Sequence, residues 1–398
     1  MSRRFITFVA TIALVVPGLG AAPAAAATDG AVLQAALDRI TAAGLPGTFA
    51  EVRDNRSTWR GASGVADVAA GRPMRPGFQH RVASITKTFV ATTVLQLAAE
   101  RRISLDAPLG RYLPEYARDG LTVRMLLNHT GGVANYIDVL LADPETAVER
   151  YRTETVPPRE LARIGLSLPP ENAPGAGYSY ANTNYILLGL IIEKVTGRPA
   201  AFEVTRRIIR PLGLRGTYFP GTYPHIAGPH SKAYIPWSEG ELRDFSVYNM
   251  SWLWMAGEMV STTADLDRFY RALLAGRLLR PAELAEMRTV VPWDPASPES
   301  GGYGLGIYSV ALSCGLVWGH DGLALGHSTI SWHSPDGARQ ASIALNMTHY
   351  QVPGEPDVIF GATVEFMDLA LCGSSSTGAR PAATVPFVPV DGSIRIGF

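Results

Sequence analysis

Cysteine is scarce in this chain of 398 residues, and this scarcity limits the kinds of metal site and nucleophile that the chain can contain. Two cysteines, Cys314 and Cys372, are too few for a thiolate cluster, and no HExxH motif accompanies them, so nothing indicates zinc or another cofactor. Neither cysteine has the histidine company that a thiol nucleophile needs. The choice left is between two unpaired buried thiols and one disulfide.

Excess charge and long apolar runs are also missing. Lysine and arginine together number 35 and so do aspartate and glutamate, which gives no basic surface for nucleic acid. No stretch reaches the roughly 20 apolar residues that a membrane span requires. We therefore expect a protein with neither a nucleic-acid partner nor a membrane anchor, and we expect a monomer.

The first 27 residues have the pattern of a secretory signal peptide. A basic start at residues 2–4 precedes an apolar run at 5–16 and a small-residue stretch at 21–27. We expect cleavage near Thr28 and a secreted, extracellular protein. Because that space is oxidising, the disulfide between Cys314 and Cys372 is favoured over two thiols.

Strand and helix signals are separated along the chain. A helix is predicted over residues 31–43 and a hairpin over 47–53 and 57–61, and strands return at 303–310, 316–318, 328–333 and 338–347 before a helix at 356–371. Helical patterns fill the middle, at residues 84–101, 122–127, 183–196, 262–275 and 281–287. We predict an α+β fold with one antiparallel sheet, terminal helices and an inserted helical lobe.

These patterns also set the predicted domain boundaries. The catalytic domain spans residues 28–373; its sheet comes from 31–80 and 300–372, and its mostly helical lobe from 84–290. Residues 374–398 are rich in Ser, Ala and Pro and form a predicted flexible tail.

Ser84 and Lys87 form the strongest chemical motif. On a helix, residues three apart lie on one face within mutual reach, and an amine beside a hydroxyl can activate it as a nucleophile. Only three lysines occur, and Lys87 alone follows a serine at this spacing. The alternative is that Ser84 is an ordinary helix N-cap.

A second motif, Tyr180 with Asn182, ends a loop rich in Pro and Gly and leads into a predicted helix. A phenol beside an ammonium loses its proton more readily, so Tyr180 is a candidate base for Ser84. Packing for the tyrosine and helix capping for the asparagine are the alternative roles.

The third motif is His320-Asp321-Gly322, at the predicted end of a late strand. His320 can donate to a reacting group or relay a proton, and the glycine lets a substrate backbone approach the strand. His129 is a competing histidine, but its position between a helix and a glycine favours a loop role.

Taken in order, the motifs SxxK, YxN and HxG resemble those of the penicillin-binding proteins and class C-like serine β-lactamases. The connecting segments at 81–87, 105–108, 126–132, 180–185 and 303–306 resemble that family too, and the likeness covers residues 31–372. It is greatest for secreted soluble D-alanyl-D-alanine carboxypeptidases, which share the histidine triplet and the sequence around Cys314 and Cys372.

The resemblance implies a role for each matching residue. Ser84 would attack the scissile carbonyl, Lys87 and Tyr180 would move its proton, and His320 would replace the lysine of the usual triplet. Asn182 would hold the amide on the acyl side, and the amides of Ser84 and Leu323 would form the oxyanion hole beside Gly322. Trp252 would border the cleft, with core packing as its alternative.

Asp321 departs from the family pattern, since the middle residue of the triplet normally carries a hydroxyl that helps bind a substrate carboxylate. An aspartate there would repel that carboxylate, and the strand at 307–311 supplies no cation.

From the three motifs together we expect a secreted serine acyl hydrolase or transferase that forms an acyl-Ser84 intermediate.

The expected activity is that of a D-Ala-D-Ala carboxypeptidase on peptidoglycan-type peptides, with cell-wall peptides and β-lactams as partners. The alternative is an esterase, a D-amino-acid amidase or a peptidase on the same fold, which Asp321 favours. A third possibility is an inactive peptidoglycan or β-lactam sensor, against which Lys87, Tyr180 and His320 argue. The absence of a GxSxG motif excludes an ordinary α/β-hydrolase.

Overall fold

A computed structural model describes residues 29–55, 57–237, 241–348 and 357–373. The predicted signal peptide (1–27) and tail (374–398) lie outside the described residues. Helices of the described part are α1 Gly30–Ala42, α2 Thr86–Ala99, α3 Val123–Leu127, α4 Ile137–Leu140, α5 Pro144–Arg150, α6 Pro158–Ser167, α7 Asn182–Thr196, α8 Ala200–Val204, α9 Arg210–Leu212, α10 Thr263–Leu274, α11 Pro281–Met287 and α12 Val358–Cys372.

The strands of the same part are β1 Gly47–Arg53, β2 Thr58–Asp67, β3 Arg72–Pro73, β4 His80–Arg81, β5 Tyr234–Pro236, β6 Leu242–Asp244, β7 Val260–Ser261, β8 Val291–Pro292, β9 Gly301–Tyr303, β10 Tyr308–Leu312, β11 Gly315–Ala324, β12 His327–His333 and β13 Gln340–Leu345. Nine of them form one sheet in the order β3-β2-β1-β13-β12-β11-β10-β9-β8. Each neighbouring pair is antiparallel. The predicted α+β class and antiparallel sheet are confirmed.

The sheet is covered on both faces, as the alternation along β13 shows. Ala341 and Ile343 belong to the apolar core that α1 and α12 complete. Gln340 and Ser342, which alternate with them in sequence, instead bond to Asp267 of α10. Because successive side chains of a strand point to opposite faces, the terminal helices cover one face and α10 the other.

A second apolar core fills the helical lobe. It contains the apolar residues of α2, which is buried continuously from Thr86 to Leu95, and most of α7, whose residues 182–192 are all buried. α7 is apolar around its circumference, which is typical of a helix surrounded by protein. Since α2 carries the SxxK motif and α7 begins at Asn182, burial of these two helices holds the first two motifs at fixed positions.

Two strand predictions need correction. The predicted strand at 303–310 is two strands, β9 and β10, because the turn at 304–307 reverses the chain; Gly306 there has φ +76°. The predicted strand at 316–318 extends to Ala324, so the histidine triplet lies within β11 and not at its end. The apolar pattern predicted too short a strand here because β11 is buried despite its polar residues.

The predicted disulfide joins Cys314 to Cys372 with an S–S distance of 2.01 Å. It links the hairpin between β10 and β11 to the end of α12. Ser313 reinforces this junction, because its backbone N–H and hydroxyl both donate to the carboxylate of Asp368. Among the described helices, none has the length and apolar character to cross a bilayer.

Candidate active site

Ser84 lies in a single 3-10 turn, Ala83–Ile85, that runs directly into α2. The turn is fixed from outside: the N–H of Val82 donates to Met259 O at 3.0 Å. Ala83 has φ +43°, a conformation that costs energy for a residue with a Cβ atom. Strain of this kind next to a buried serine is typical of a functional site, and it turns Ser84 away from regular helix geometry.

Lys87 is completely buried, and its ammonium group donates to three oxygen atoms. These are Ser84 Oγ at 2.9 Å, Asn182 Oδ1 at 2.7 Å and the carbonyl oxygen of Ala256 at 2.8 Å. Its Nζ also lies 4.8 Å from the centre of the Tyr180 ring. A buried charge needs such partners to offset its lost hydration, and the arrangement points the amine at the serine.

Tyr180 contacts the same serine from the other side, with its hydroxyl 3.0 Å from Ser84 Oγ. His129 supports the ring of Tyr180 by stacking on it at 4.2 Å. His129 Nδ1 accepts from the N–H of Ala181 and from the amide of Asn184. Burial first, and then the charge of Lys87, hold the pKa of His129 well below its usual range, so this ring is neutral.

Asn182 is the first residue of α7 and is fully buried. Its Oδ1 is taken by Lys87, while its backbone N–H and its Nδ2 lie 3.1 and 3.4 Å from Asn135 Oδ1. Asn135 in turn donates from Nδ2 to Asp138 at 3.5 Å. The carboxamide orientation of Asn182 is thereby fixed, with Nδ2 as its donor group.

β11 passes directly beside the nucleophile turn. Its pairing with β10 ends at Tyr308 and Gly319, so the following residues face the turn and not β10. A Cβ on Gly322 would lie 2.1 Å from Val82 O and 3.0 Å from Ser84 N. Only glycine allows this approach. Leu323, which the resemblance assigns as the second oxyanion donor, follows Gly322 directly in β11.

His320 is completely buried in β11 and uses both ring nitrogens. Nδ1 contacts Asp321 O at 2.6 Å, and Nε2 lies 2.9 Å from the hydroxyl of Tyr303. Burial, with the charge of Lys87, lowers the pKa of His320 to about 3. The ring is therefore neutral, donates from Nδ1–H and accepts from Tyr303, so a direct bond to the substrate would require it to change partners.

The Asp321 side chain is 12 % exposed and is directed toward other protein groups. Its charge, and a hydrogen bond to its carboxyl group, help raise the pKa of Tyr308, although burial is the larger cause. Its Oδ1 lies 3.7 Å from His320 Nδ1, but His320 is neutral, so the contact is not an ion pair. The carboxyl group therefore lies beside the strand and only partly toward solvent.

Trp252 is the predicted site residue that the structure does not bring to the cleft. Its side chain is 0 % exposed and lies in the core of the helical lobe, beside Tyr151 and Tyr248. Only its carbonyl oxygen is linked to the site region, through the hydroxyl of Tyr136 at 2.6 Å. Core packing, its alternative role, agrees with this position.

Four residues of the site were not predicted in their observed roles: His129, Asn135, Ala256 and Tyr303. Ala256 contributes a carbonyl group, which no side-chain pattern reveals. Asn135 and His129 each support the second motif from about 50 residues away, and that pairing leaves no periodic signal. The family resemblance of the segment at 303–306 is the one sequence signal that points to Tyr303.

Residues 32–362 match the family described as Beta-lactamase. The chain belongs to the beta-lactamase family. Its fold is that of the β-lactamases and penicillin-binding proteins. Among the described residues, no cluster of three or more His, Cys, Asp or Glu side chains could hold a metal ion.

Solved structures of this family are similar over most of the chain. A D-stereospecific amidohydrolase from Streptomyces sp. is 39 % identical with a TM-score of 0.75, covering 84 % of this chain and 98 % of that one. A D-amino acid amidase from Ochrobactrum anthropi SV3, complexed with L-phenylalanine amide, is 27 % identical with a TM-score of 0.75, covering 86 % and 97 %.

Curated relatives have several activities in their names. Esterase EstB from Burkholderia gladioli is 34 % identical over 239 residues, which is 55 % of this chain and 58 % of the relative. A D-aminopeptidase from Brucella anthropi is 27 % identical over 85 % of this chain and 61 % of its own length. The chain spans about three fifths of the length of these curated relatives.

Proposed function

We propose that this protein is a D-stereospecific amidohydrolase that cleaves the amide bond after a D-amino acid through an acyl-Ser84 intermediate. The observation that carries the hydrolase chemistry is the position of Ser84 Oγ, 2.9 Å from Lys87 Nζ and 3.0 Å from the Tyr180 hydroxyl. Two groups able to exchange a proton contact one buried nucleophile, as covalent catalysis requires.

The proposed reaction has two steps. Ser84 Oγ bonds to the substrate carbonyl carbon as its proton passes to the phenolate of Tyr180, the form that the Lys87 ammonium favours, and the amides of Ser84 and Leu323 stabilise the oxyanion. The carbon–nitrogen bond then breaks, and the departing amine takes the proton from Tyr180. Water attacks the acyl-Ser84 ester in the second step, returning a proton to Ser84 and releasing the acid.

Two features favour an amide over a free C-terminal peptide as substrate. Strand β10 and the turn before it, residues 307–312, contain no lysine or arginine to bind a leaving carboxylate. Asp321 replaces the hydroxyl that binds it in carboxypeptidases. D-Ala-D-Ala carboxypeptidase activity therefore ranks second, although a putative enzyme of that name from Escherichia coli is 27 % identical over 64 % of this chain.

The acyl side of the site favours a substrate with a free α-amino group. Asn182 leads through Asn135 to the carboxylate of Asp138, whose pKa is raised by burial and by the charge of Glu171. Two carboxyl groups beyond Asn182 make this end of the site acidic. An α-ammonium group is the substrate feature that such a site attracts.

A substrate profile tests the proposal. We expect purified protein to hydrolyse D-phenylalanine amide faster than L-phenylalanine amide, N-acetyl-D-phenylalanine amide and a free D-Ala-D-Ala peptide. Ser84→Ala should abolish turnover and covalent labelling by an acylating probe, whereas Ser179→Ala should retain both. If the protein instead preferred the free D-Ala-D-Ala peptide, it would be assigned as a carboxypeptidase.

We further infer export to the extracellular space, which detection of the mature protein in culture medium would test.

A further inference from the structure

Two half-buried aromatic side chains, Tyr178 and Trp293, lie beside the catalytic loop without a part in the steps above. Their rings meet edge to face with centroids 5.4 Å apart. Trp293 follows β8 at the edge of the sheet, and Tyr178 precedes Tyr180 by two residues in the loop. We call these two side chains the aromatic pair.

The aromatic pair is continuous with Tyr180 through two buried rings. Tyr303 lies 5.6 Å from Tyr178 and 6.2 Å from Tyr180, and His129 lies 6.1 and 4.2 Å from the same two tyrosines. The pair is therefore one ring removed from the hydroxyl that contacts Ser84. A substrate group that extends past Tyr180 in this direction would reach it.

The proposed roles of the neighbouring residues assign this direction to the leaving group. Asn182 is proposed to hold the acyl side, whereas Tyr180 is the proposed proton donor to the departing amine. The aromatic pair lies against Tyr303 of β9 and Tyr308 of β10. A leaving group that extends along these rings from Tyr180 would contact the aromatic pair.

The aromatic pair is also rigid, which suits a binding surface. Trp293 donates from Nε1 to Ser309 O at 2.9 Å and packs edge to face against Tyr308 at 5.7 Å. Beneath the pair, Tyr303 is completely buried. Because these rings are already ordered, a ligand that stacks on them loses little conformational entropy.

We propose that the aromatic pair is a subsite for the leaving group, and that it binds an uncharged, apolar and preferably aromatic residue. The absence of a cation from residues 307–312 gives no means of attracting a carboxylate there, while ring faces and edges favour an aromatic partner. This inference deepens the proposed function and rests on it: the substrate would be a D-aminoacyl amide or peptide with an arylalkyl leaving amine.

The reaction of the acyl-enzyme with two competing amines tests this subsite alone, because an incoming amine occupies the same position as a leaving amine. In that step the amine nitrogen bonds to the acyl carbon, the ester bond to Ser84 breaks, and Ser84 Oγ regains the proton that the amine releases. D-phenylalanine methyl ester serves as acyl donor, with 3-phenylpropylamine or propylamine as acceptor. The ratio of the two aminolysis products does not depend on the acylation rate.

We expect the wild type to prefer 3-phenylpropylamine, and Trp293→Ala and Tyr178→Leu each to lower that preference roughly three- to tenfold. Trp293→Phe, which keeps a smaller aromatic ring but loses the bond to Ser309, should retain most of it. The control is Trp59→Ala, a half-buried tryptophan of β2 that packs against Phe366, and it should leave the preference unchanged.

Three results separate the possible failures. Equal use of both amines by the wild type, or an unchanged preference in both Trp293→Ala and Tyr178→Leu, would overturn the subsite. If the wild type accepts an aryl acetate but no D-aminoacyl donor, the proposed acyl specificity fails, and the same partition test is made on the acetyl-enzyme. A chain that forms no acyl-enzyme with either donor refutes both proposals.

Discussion

The two sides of the nucleophile differ in how directly their residues reach it. On the α2 and α7 side, Lys87 and Tyr180 contact Ser84 Oγ themselves. On the β11 side, His320 is neutral, buried and bonded to Tyr303, and Asp321 is directed toward Tyr308. The first side holds the groups that are proposed to move the proton. The second side contributes the close approach at Gly322, next to the proposed oxyanion donor Leu323.

The largest expected effect comes from breaking the first side. Lys87→Ala and Tyr180→Phe should each lower the acylation rate roughly 10²- to 10⁴-fold, the usual contribution of a positioned acid or base. The double variant should be little slower than either single one, because both act on one proton. Stopped-flow acylation by a chromogenic ester measures this. Losses that multiply would show that the two residues act independently.

The proximity of Ser84, Lys87 and Tyr180 follows from sequence information that is local. The spacing of Ser84 and Lys87 decides that they share one helical turn, and the loop before α7 decides where Tyr180 lies. The supporting contacts were not predictable in this way: Lys87 reaches Ala256, 169 residues later, and Asn182 reaches Asn135, 47 residues earlier. Such contacts depend on the tertiary fold and not on any periodicity.

The fold, too, was predicted best where the sequence signal is local. The hairpin of β1 and β2, the helices α1, α2, α7, α10 and α12, and the last two strands, β12 and β13, were predicted near their observed positions. Two-residue strands such as β4 and β7 were not, since a pair of residues carries no alternation to detect. β11 was predicted too short because burial on both sides lets polar residues such as His320 and Asp321 replace the expected apolar run.

The two sides should also respond oppositely to pH. Glu258 lies on the first side, in the segment after Ala256, and burial raises its pKa to about 8 from 4.5. The folded protein keeps this proton while the unfolded chain releases it, so stability falls as pH rises from 4.5 to 8. His320 has a pKa lowered to about 3 from 6.5, so stability falls as pH decreases from 6.5 toward 3.

Each group contributes a slope of up to about 1.4 kcal/mol per pH unit. Glu258→Gln should therefore stabilise the protein increasingly between pH 4.5 and 8 in chemical denaturation. Glu160→Gln is the control, because Arg163 holds the pKa of this exposed carboxyl below its usual range. A constant difference between Glu258→Gln and the wild type across this interval would show that Glu258 ionises normally in the folded protein.

A smaller effect is expected from Tyr303, which links the two sides. Tyr303→Phe removes the donor to His320 Nε2 and leaves a buried acceptor unpaired, a loss of about 1–3 kcal/mol. We expect kcat to fall roughly tenfold with little change in KM, since the loop that carries Tyr180 packs against this ring. Tyr112→Phe, which loses one hydroxyl bond to the N–H of Ser104 in the helical lobe, is the control. Equal losses of kcat in both variants would show that Tyr303 contributes only ordinary packing.

The smallest expected effect concerns Asp321, because its carboxyl group is only 12 % exposed and is directed toward Tyr308. If it remains ionised, its charge still disfavours a carboxylate on the leaving side across the strand. Asp321→Thr should then raise kcat/KM for a free D-Ala-D-Ala peptide by about two- to fivefold relative to the same peptide with an amidated C-terminus. The gain should shrink as salt is added, because screening weakens charge interactions near the surface. Equal changes for both peptides would show that Asp321 does not sense the substrate terminus, and the preference for amides would then depend on the missing cation alone.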